Sequence, residues 1–319
     1  MSDIMHPVPF GELLVRMTQE LKLHGSIFNI PYDQFYHAKG GKSISLFGQS
    51  AETALGPAAG PHTQLAQNII TSYLVGGRFI ELKTAQEKDD FAATGAVAKP
   101  CIDARDEGYN VEWSTELMLP QTWSEYAKAY IICCLLDAVT HKSPWKKSFI
   151  FNLSVGYTLE GIKTEKMRRY ISSMLDARGE SRWQEYLDEL EEGDLFEGTP
   201  WEGKEKSLKD FAGKIDPHIV NNVTVSTMHG CPPKEIKAIC SYMLHDVHIH
   251  TYVKLNPTLL GYDEARKILD ANGFSYITLT HENFDHDLQY KDAVVMLREL
   301  VELAKKEGRQ FGVKLTNTL

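Results

Sequence analysis

The sequence has no long run of basic residues, and acidic residues outnumber basic ones by 43 to 34, for a formal net charge of −9 at pH 7. That balance argues against a partner bound through a phosphate backbone, so no nucleic acid is expected. No apolar stretch reaches the length of a membrane span; Ile131 to Leu136 is only a short apolar piece within a helical pattern. Residues 1–10 carry Asp3, His6 and two prolines where a secretion signal would have an apolar run. The five cysteines, at 101, 133, 134, 231 and 240, show no C-x-x-C spacing. A disulfide framework and a four-thiolate metal site are therefore not expected, and a reducing cytoplasm is the natural compartment. The Gly-x-Gly-x-x-Gly fingerprint of an open dinucleotide-binding sheet is also missing. What remains is ordinary globular composition, 43% hydrophobic and 24% charged over 319 residues, enough for one large α/β domain or two smaller ones.

The periodicities alternate. Residues 1–43 read as a lead-in with a helix over Phe10 to Leu23, and Ile44 to Phe47 as a short strand. Further helices are expected at 62–74, 121–140, 164–177, 181–192, 232–244, 262–271 and 287–307. Strands of barrel type are expected near 54, 78, 149, 223, 251, 275 and 311, with insertions near 85–120 and 178–217. The span from Gly193 to Pro217 reads as a flexible, solvated insertion. Apolar strands alternating with amphipathic helices make a parallel sheet. Polar or reactive residues recur at strand C-ends (Lys83, Asn152, Cys231, Lys254, Asn256, Asn317). That placement favours a (β/α)8 barrel, whose site is assembled from several strand ends, over residues 44–319. Seven strands are one short of closure, so the expectation is a barrel cut before its last strand or strands.

The stretch that organises the rest is Val223-Thr-Val-Ser-Thr-Met-His-Gly-Cys231-Pro-Pro-Lys-Glu235. Cys231 stands between a strand and a helix opened by Pro-Pro, where the helix N-terminus favours thiolate. His229 lies close enough in sequence to act on it. Lys83, Lys254 and Lys314 each end an apolar strand, a costly position for a cation without an anionic or electron-rich partner. A Schiff-base lyase using Lys254 or Lys314 is one alternative, and a non-catalytic scaffold barrel another. Cys133-Cys134 point about 100° apart on a helix and read as structural. His245, His248 and His250 read as a surface cluster, Asp285-His286-Asp287 as a helix-capping turn, and no metal site is expected.

Several runs carry a resemblance. Gly56-Pro-Ala-Ala-Gly60, Glu81-Leu-Lys-Thr84, Cys231-Pro232, Lys254-Leu-Asn-Pro257 and Thr316-Asn-Thr318 are similar, in that order, to motifs of dihydroorotate dehydrogenases and of the FMN barrel of dihydropyrimidine dehydrogenase. With Gly60-Pro-His-Thr-Gln-Leu-Ala-Gln67, Ser154-Val-Gly-Tyr157 and Ser226-Thr-Met-His-Gly-Cys-Pro-Pro233, the whole chain resembles the "putative selenate reductase" family of large bacterial iron–sulfur flavoproteins. The resemblance implies an FMN-binding TIM barrel of the dihydroorotate dehydrogenase type. It further implies that Ala58, Ala59 and Gly60 pass beneath the flavin and that Lys83, Thr84 and Lys254 contact it. Asn152, Asn256 and Asn317 would meet the substrate, and Cys231 would act as general acid/base. Electrons would reach the barrel from [4Fe-4S], FAD and NAD(P)H-binding parts C-terminal to this sequence. The sequence departs from those dehydrogenases in lacking Asn-x-Ser before Cys231-Pro232. It also shows one strand–helix unit more than expected, Ser275 to Glu307, between the Lys-Leu-Asn-Pro and Thr-Asn-Thr motifs.

Overall fold

The computed structural model describes residues 7–38, 43–89, 102–103, 109–110, 117–140, 147–191, 195–204, 211–227 and 230–316. The chain divides into two compact units, residues 1–153 with 165–220, and residues 154–164 with 221–319.

In the first unit, helix α1 (Phe10–His24) buries Phe10, Leu13, Leu14, Met17 and Leu21 on one face, the i, i+3, i+4, i+7 spacing of its apolar residues. Gly25, with φ 62°, ends it in the left-handed cap that glycine adopts without strain. Helix α2 (Ala66–Leu74) leads to strand β1 (Phe79–Glu81). Helix α3 (Leu119–Thr140) leads to β2 (Ile150–Gly156), whose last three residues belong to the second unit. The strands β1 and β2 pair in parallel, Ile80 opposite Phe151 and Glu81 opposite Asn152. Alternation along them sends Phe149 and Phe151 toward the aromatic side of α3. There the Tyr130 ring centroid stands 5.7 Å from each, edge on. The helix is buried on nearly all sides. Asp137 is one buried anchor: it accepts hydrogen bonds from the Ser148 N–H (2.7 Å), the Ser148 hydroxyl (2.5 Å) and the Tyr73 hydroxyl. Helices α4 (Glu165–Leu175) and α5 (Ser181–Glu191) complete the unit, and α5 brings Tyr186 to 4.9 Å from Phe10.

The second unit holds three parallel strands in the order β5-β4-β3: β3 (Asn222–Ser226), β4 (His250–Leu255) and β5 (Phe311–Leu315). Helix α6 (Pro233–His245) connects β3 to β4. The connection from β4 to β5 carries helices α7 (Tyr262–Ala271) and α8 (Tyr290–Lys306). Ile236, Ile239, Met243, Met296 and Leu300 are buried on the facing sides of α6 and α8.

Three expectations need correction. Near residue 54 there is no barrel strand. Leu55 O accepts from the Arg78 and Phe79 amides and Pro57 O from Glu81, but Pro57 has no N–H to return, so no ladder propagates. Residues 275–280 form no strand either. β4 pairs directly with β5, and the Phe274 and Ile277 carbonyls accept from the Arg266 guanidinium at 2.9 and 2.5 Å instead of from a neighbouring strand. The apparent extra strand–helix unit is thus part of one long crossover. In the span 193–217, Phe196 and Trp201 are buried, their rings 5.5 Å apart, so that part is packed rather than solvated. Among the described residues no helix is long and apolar enough to cross a membrane.

Candidate functional site

The first unit holds a buried polar face. Glu81, Lys83 and Asn152 alternate with Ile80, Leu82, Phe151 and Leu153, so they lie on the strand face turned away from the aromatic helix packing. All three are buried, Lys83 to 2% exposure. The Lys83 backbone is fixed on both sides: its N–H donates to Thr63 O (3.4 Å), and its carbonyl accepts from the Tyr126 hydroxyl (2.8 Å). Thr84, the next residue, is also buried. Beside this face runs the Gly56–Gly60 loop. A Cβ on Gly56 would lie 1.6 Å from Phe79 O, so only glycine allows the loop this close to β1. The Ala59 N–H donates to Glu81 Oε2 at 2.9 Å, which ties the loop to the strand and leaves Ala58 exposed. Gly60 is held by Thr63, whose hydroxyl bonds both its N–H and its carbonyl.

The second unit holds Cys231, Lys254 and Asn256. Cys231 is half-buried just ahead of α6, whose N-cap is Pro232. Its thiol pKa is pushed up to about 11, first by burial and then by the negative charges of Glu235 and Asp287. The thiolate expected at a helix N-terminus is therefore overridden by desolvation and two carboxylates, and the site holds a protonated thiol at neutral pH. Lys254 and Lys314 are register partners on β4 and β5, which places both on one face of the sheet with Tyr252. Gly312 makes room there, since a Cβ would stand 2.4 Å from the Tyr252 ring. Asn256 follows β4, and its side-chain amide donates to Asp287 Oδ2 at 2.8 Å.

Asp287 is the residue that sequence reasoning missed. It reads as a capping residue, yet it is buried and, among the described residues, accepts hydrogen bonds from the Gly230 N–H (3.1 Å), the Leu288 N–H (2.9 Å), the Asn256 amide and the Thr258 hydroxyl (2.6 Å). Three of these partners lie 29 to 57 residues away, so no local pattern could have revealed it. Asn317 and His229 lie outside the described residues. Cys133 is fully buried, and burial pushes its thiol pKa far up; Cys134 is pushed up as well. Of the three clustered histidines, His245 bonds Glu307 through Nδ1 at 2.9 Å, while His250 Nδ1 accepts from the Gln310 N–H at 2.9 Å. Among the described residues no group of three or more His, Cys, Asp or Glu side chains could hold a metal ion.

Comparison with known proteins gives the following. The model of a family described as "Oxidoreductase YgfK, N-terminal TIM-barrel domain" matches residues 28–319. Two proteins named "Putative oxidoreductase YgfK", from Escherichia coli K12 and Escherichia coli O157:H7, are each 52% identical over 323 residues. The match takes in 100% of this chain but 31% of each relative, so the chain spans under a third of their length. Among solved structures, a crystal structure of DHODH from Eimeria tenella in complex with ferulenol matches with a TM-score of 0.41 and 14% identity. That match covers 98% of this chain and 81% of the other.

Proposed function

The chain belongs to the YgfK N-terminal TIM-barrel oxidoreductase family, and we propose that it is a flavin-dependent barrel that reduces a double bond in a small substrate, a heterocycle among the candidates. The observation that carries this reading is the place of Cys231, half-buried between the parallel strand β3 and helix α6, where burial and two carboxylates favour the thiol form.

Reduction of a C=C or C=N bond takes a hydride at one atom and a proton at the other. FMN, when bound, supplies the hydride chemistry. The residues present suit such a group. The Gly56–Gly60 loop offers small side chains and an exposed Ala58, and Lys83, Thr84 and Lys254 offer cationic and hydroxyl groups at strand ends. In this reading Ala58, Ala59 and Gly60 face the flavin by van der Waals contact. The Ala59 N–H stays on Glu81 and does not reach the cofactor. Cys231 releases its proton as the hydride arrives, and at neutral pH it starts in the form that can do so. Asn152, Asn256 and Asn317 orient the substrate. Electrons come from iron–sulfur, FAD and NAD(P)H-binding parts of the longer protein, consistent with relatives more than three times this length.

The test is extraction of cofactors from the full-length protein, with FMN as the expected release beside FAD and iron. In that protein Cys231→Ser is expected to keep its FMN and to lower substrate reduction by about 10²–10⁴-fold, the range for loss of a general acid. Absence of FMN, or unchanged turnover in Cys231→Ser, would overturn the reading.

A further inference from the structure

The loops after β3 and β4 and the crossover that precedes β5 meet at one carboxylate. Asp287 Oδ1 takes the Gly230 N–H, one residue before Cys231, and Oδ2 takes Asn256 and Thr258, at the two flanks of Pro257. Gly230, with φ 77°, has the left-handed backbone that presents its N–H in this direction without strain. Burial alone would raise the pKa of Asp287. The bonds from Thr258, Asn256, Leu288 and Gly230 outweigh burial and hold the carboxyl below its usual range, so it is an anion at neutral pH.

We propose that Asp287 is the positioning residue of this site, clasping the loop that carries Cys231 to the turn that carries Asn256. This deepens the reading of Cys231 as proton donor and Asn256 as substrate contact, and it relies on that reading only for the purpose of the clasp. Two consequences follow from the geometry. A carboxylate accepts only, so the Asn256 amide must turn its NH2 toward Asp287 and its carbonyl oxygen away. The same negative charge, together with that of Glu235 in the first turn of α6, opposes ionisation of the thiol. One residue thereby sets both the place and the protonation of the acid.

The experiment is brief alkylation of the full-length protein by iodoacetamide across pH 8 to 12, a range that spans the thiol's titration, followed at the Cys231 peptide by mass spectrometry. Asp287→Asn removes the charge and puts an NH2 or a weaker acceptor against two donors. Alkylation at pH 8 is expected to rise about tenfold, through a downward shift of the thiol's titration of about one unit, as loss of a nearby like charge gives. A role confined to packing would raise the rate by the same factor at every pH, and that outcome overturns the proposal, as does a profile superimposed on the parent's. Thr258→Val keeps the charge and removes one bond. It is expected to raise the rate about twofold with an unmoved titration, as the loop loosens by part of one hydrogen bond. Should Asp287→Asn fail to fold, Thr258→Val decides alone, and an unchanged rate there sinks the clasp. Because alkylation reads the loop without any flavin, a protein lacking FMN would end the reductase reading and leave this result standing.

Discussion

The two units carry the same sequence device, a lysine near the end of an apolar parallel strand, and treat it differently. Lys83 is 2% exposed on the strand face turned away from α3, with its backbone pinned by Tyr126 and Thr63. Lys254 is only half-buried, and the strand beside it, β5, leaves Val313 and Leu315 at 39% and 73% exposure. The strands themselves differ in how closely they are packed. In the first unit Tyr126, Tyr130, Phe149 and Phe151 form a dense aromatic layer around a long helix buried on nearly every side. In the second, α7 buries only Ala265 and the segment from Phe274 to Ile277 is exposed. A rigid half and a looser half follow, and polar residues in the first cost more to disturb.

The largest expected effect tests the rigid half at its anchor. Asp137→Ala strands Ser148 and the Tyr73 hydroxyl in the core and should lower stability by about 3–5 kcal/mol, as removal of one partner from a buried charged network does. Urea unfolding measures it. A loss no greater than that of a surface substitution would mean the first unit is not the rigid one.

Next comes a matched pair of glycines. At Gly56 an added Cβ meets the Phe79 carbonyl, which is fixed in β1, whereas at Gly312 it meets the Tyr252 ring, which is half-buried and able to swing. Gly56→Ala should cost about 3 kcal/mol and Gly312→Ala about 1 kcal/mol, the two ends of the usual cost of overpacking. Equal losses would erase the contrast between the units.

A pair of lysines follows. Lys83→Met and Lys254→Met in the full-length protein should each weaken retention of flavin, Lys83 the more. Loss of one charged hydrogen bond, about 1.5–3 kcal/mol, corresponds to roughly ten- to a hundredfold. Flavin released on gel filtration reads it. A larger loss at Lys254 would move the main cofactor contact to the second unit.

How much of this was legible in the sequence depends on distance along the chain. Helix α1, strands β2 to β5 and the helices between them lie close to where periodicity put them, because each announces itself within a window of a dozen residues. Ser275 to Thr280 has strand composition and is not a strand. β propensity needs a neighbour, and β4 and β5 occupy each other's edge. Near Leu55 the chain does run along β1, but Pro57 cannot complete a ladder. In the span before Pro217, charge and glycine masked Phe196 and Trp201, whose burial only tertiary packing decides. The candidate residues of the site were readable because they sit in motifs. Their states were not: the Ala59 N–H committed to Glu81, the Cys231 thiol protonated by its surroundings, and Asp287 bonded to residues up to 57 positions away all arise from contacts between separate segments.

The smallest expected effect sets two carboxylates against each other. Asp176, in the first unit, is pulled down to about 2, chiefly by its hydrogen bond from Arg178, but the pair lies at the surface, with side chains 39% and 67% exposed. Asp287, in the second, is also held below its usual range, but it is buried and its donors among the described residues, Gly230, Leu288, Asn256 and Thr258, are uncharged. For both, the folded pKa is depressed, so the contribution to stability is complete above the unfolded value, about 3.9, and is lost as pH falls through the folded one. The sign is the same and the screening is not. Salt weakens the Asp176–Arg178 attraction and leaves bonds from buried neutral donors nearly untouched. Between pH 6 and pH 3, Asp287→Asn should flatten the acid loss of stability equally at low and high salt, and Asp176→Asn should do so only at low salt. Urea midpoints at the four conditions decide it. If Asp287→Asn also lost its effect at high salt, Asp287 would be a solvent-screened surface charge, and the second unit would have no buried polar hub to compare with Asp137 in the first.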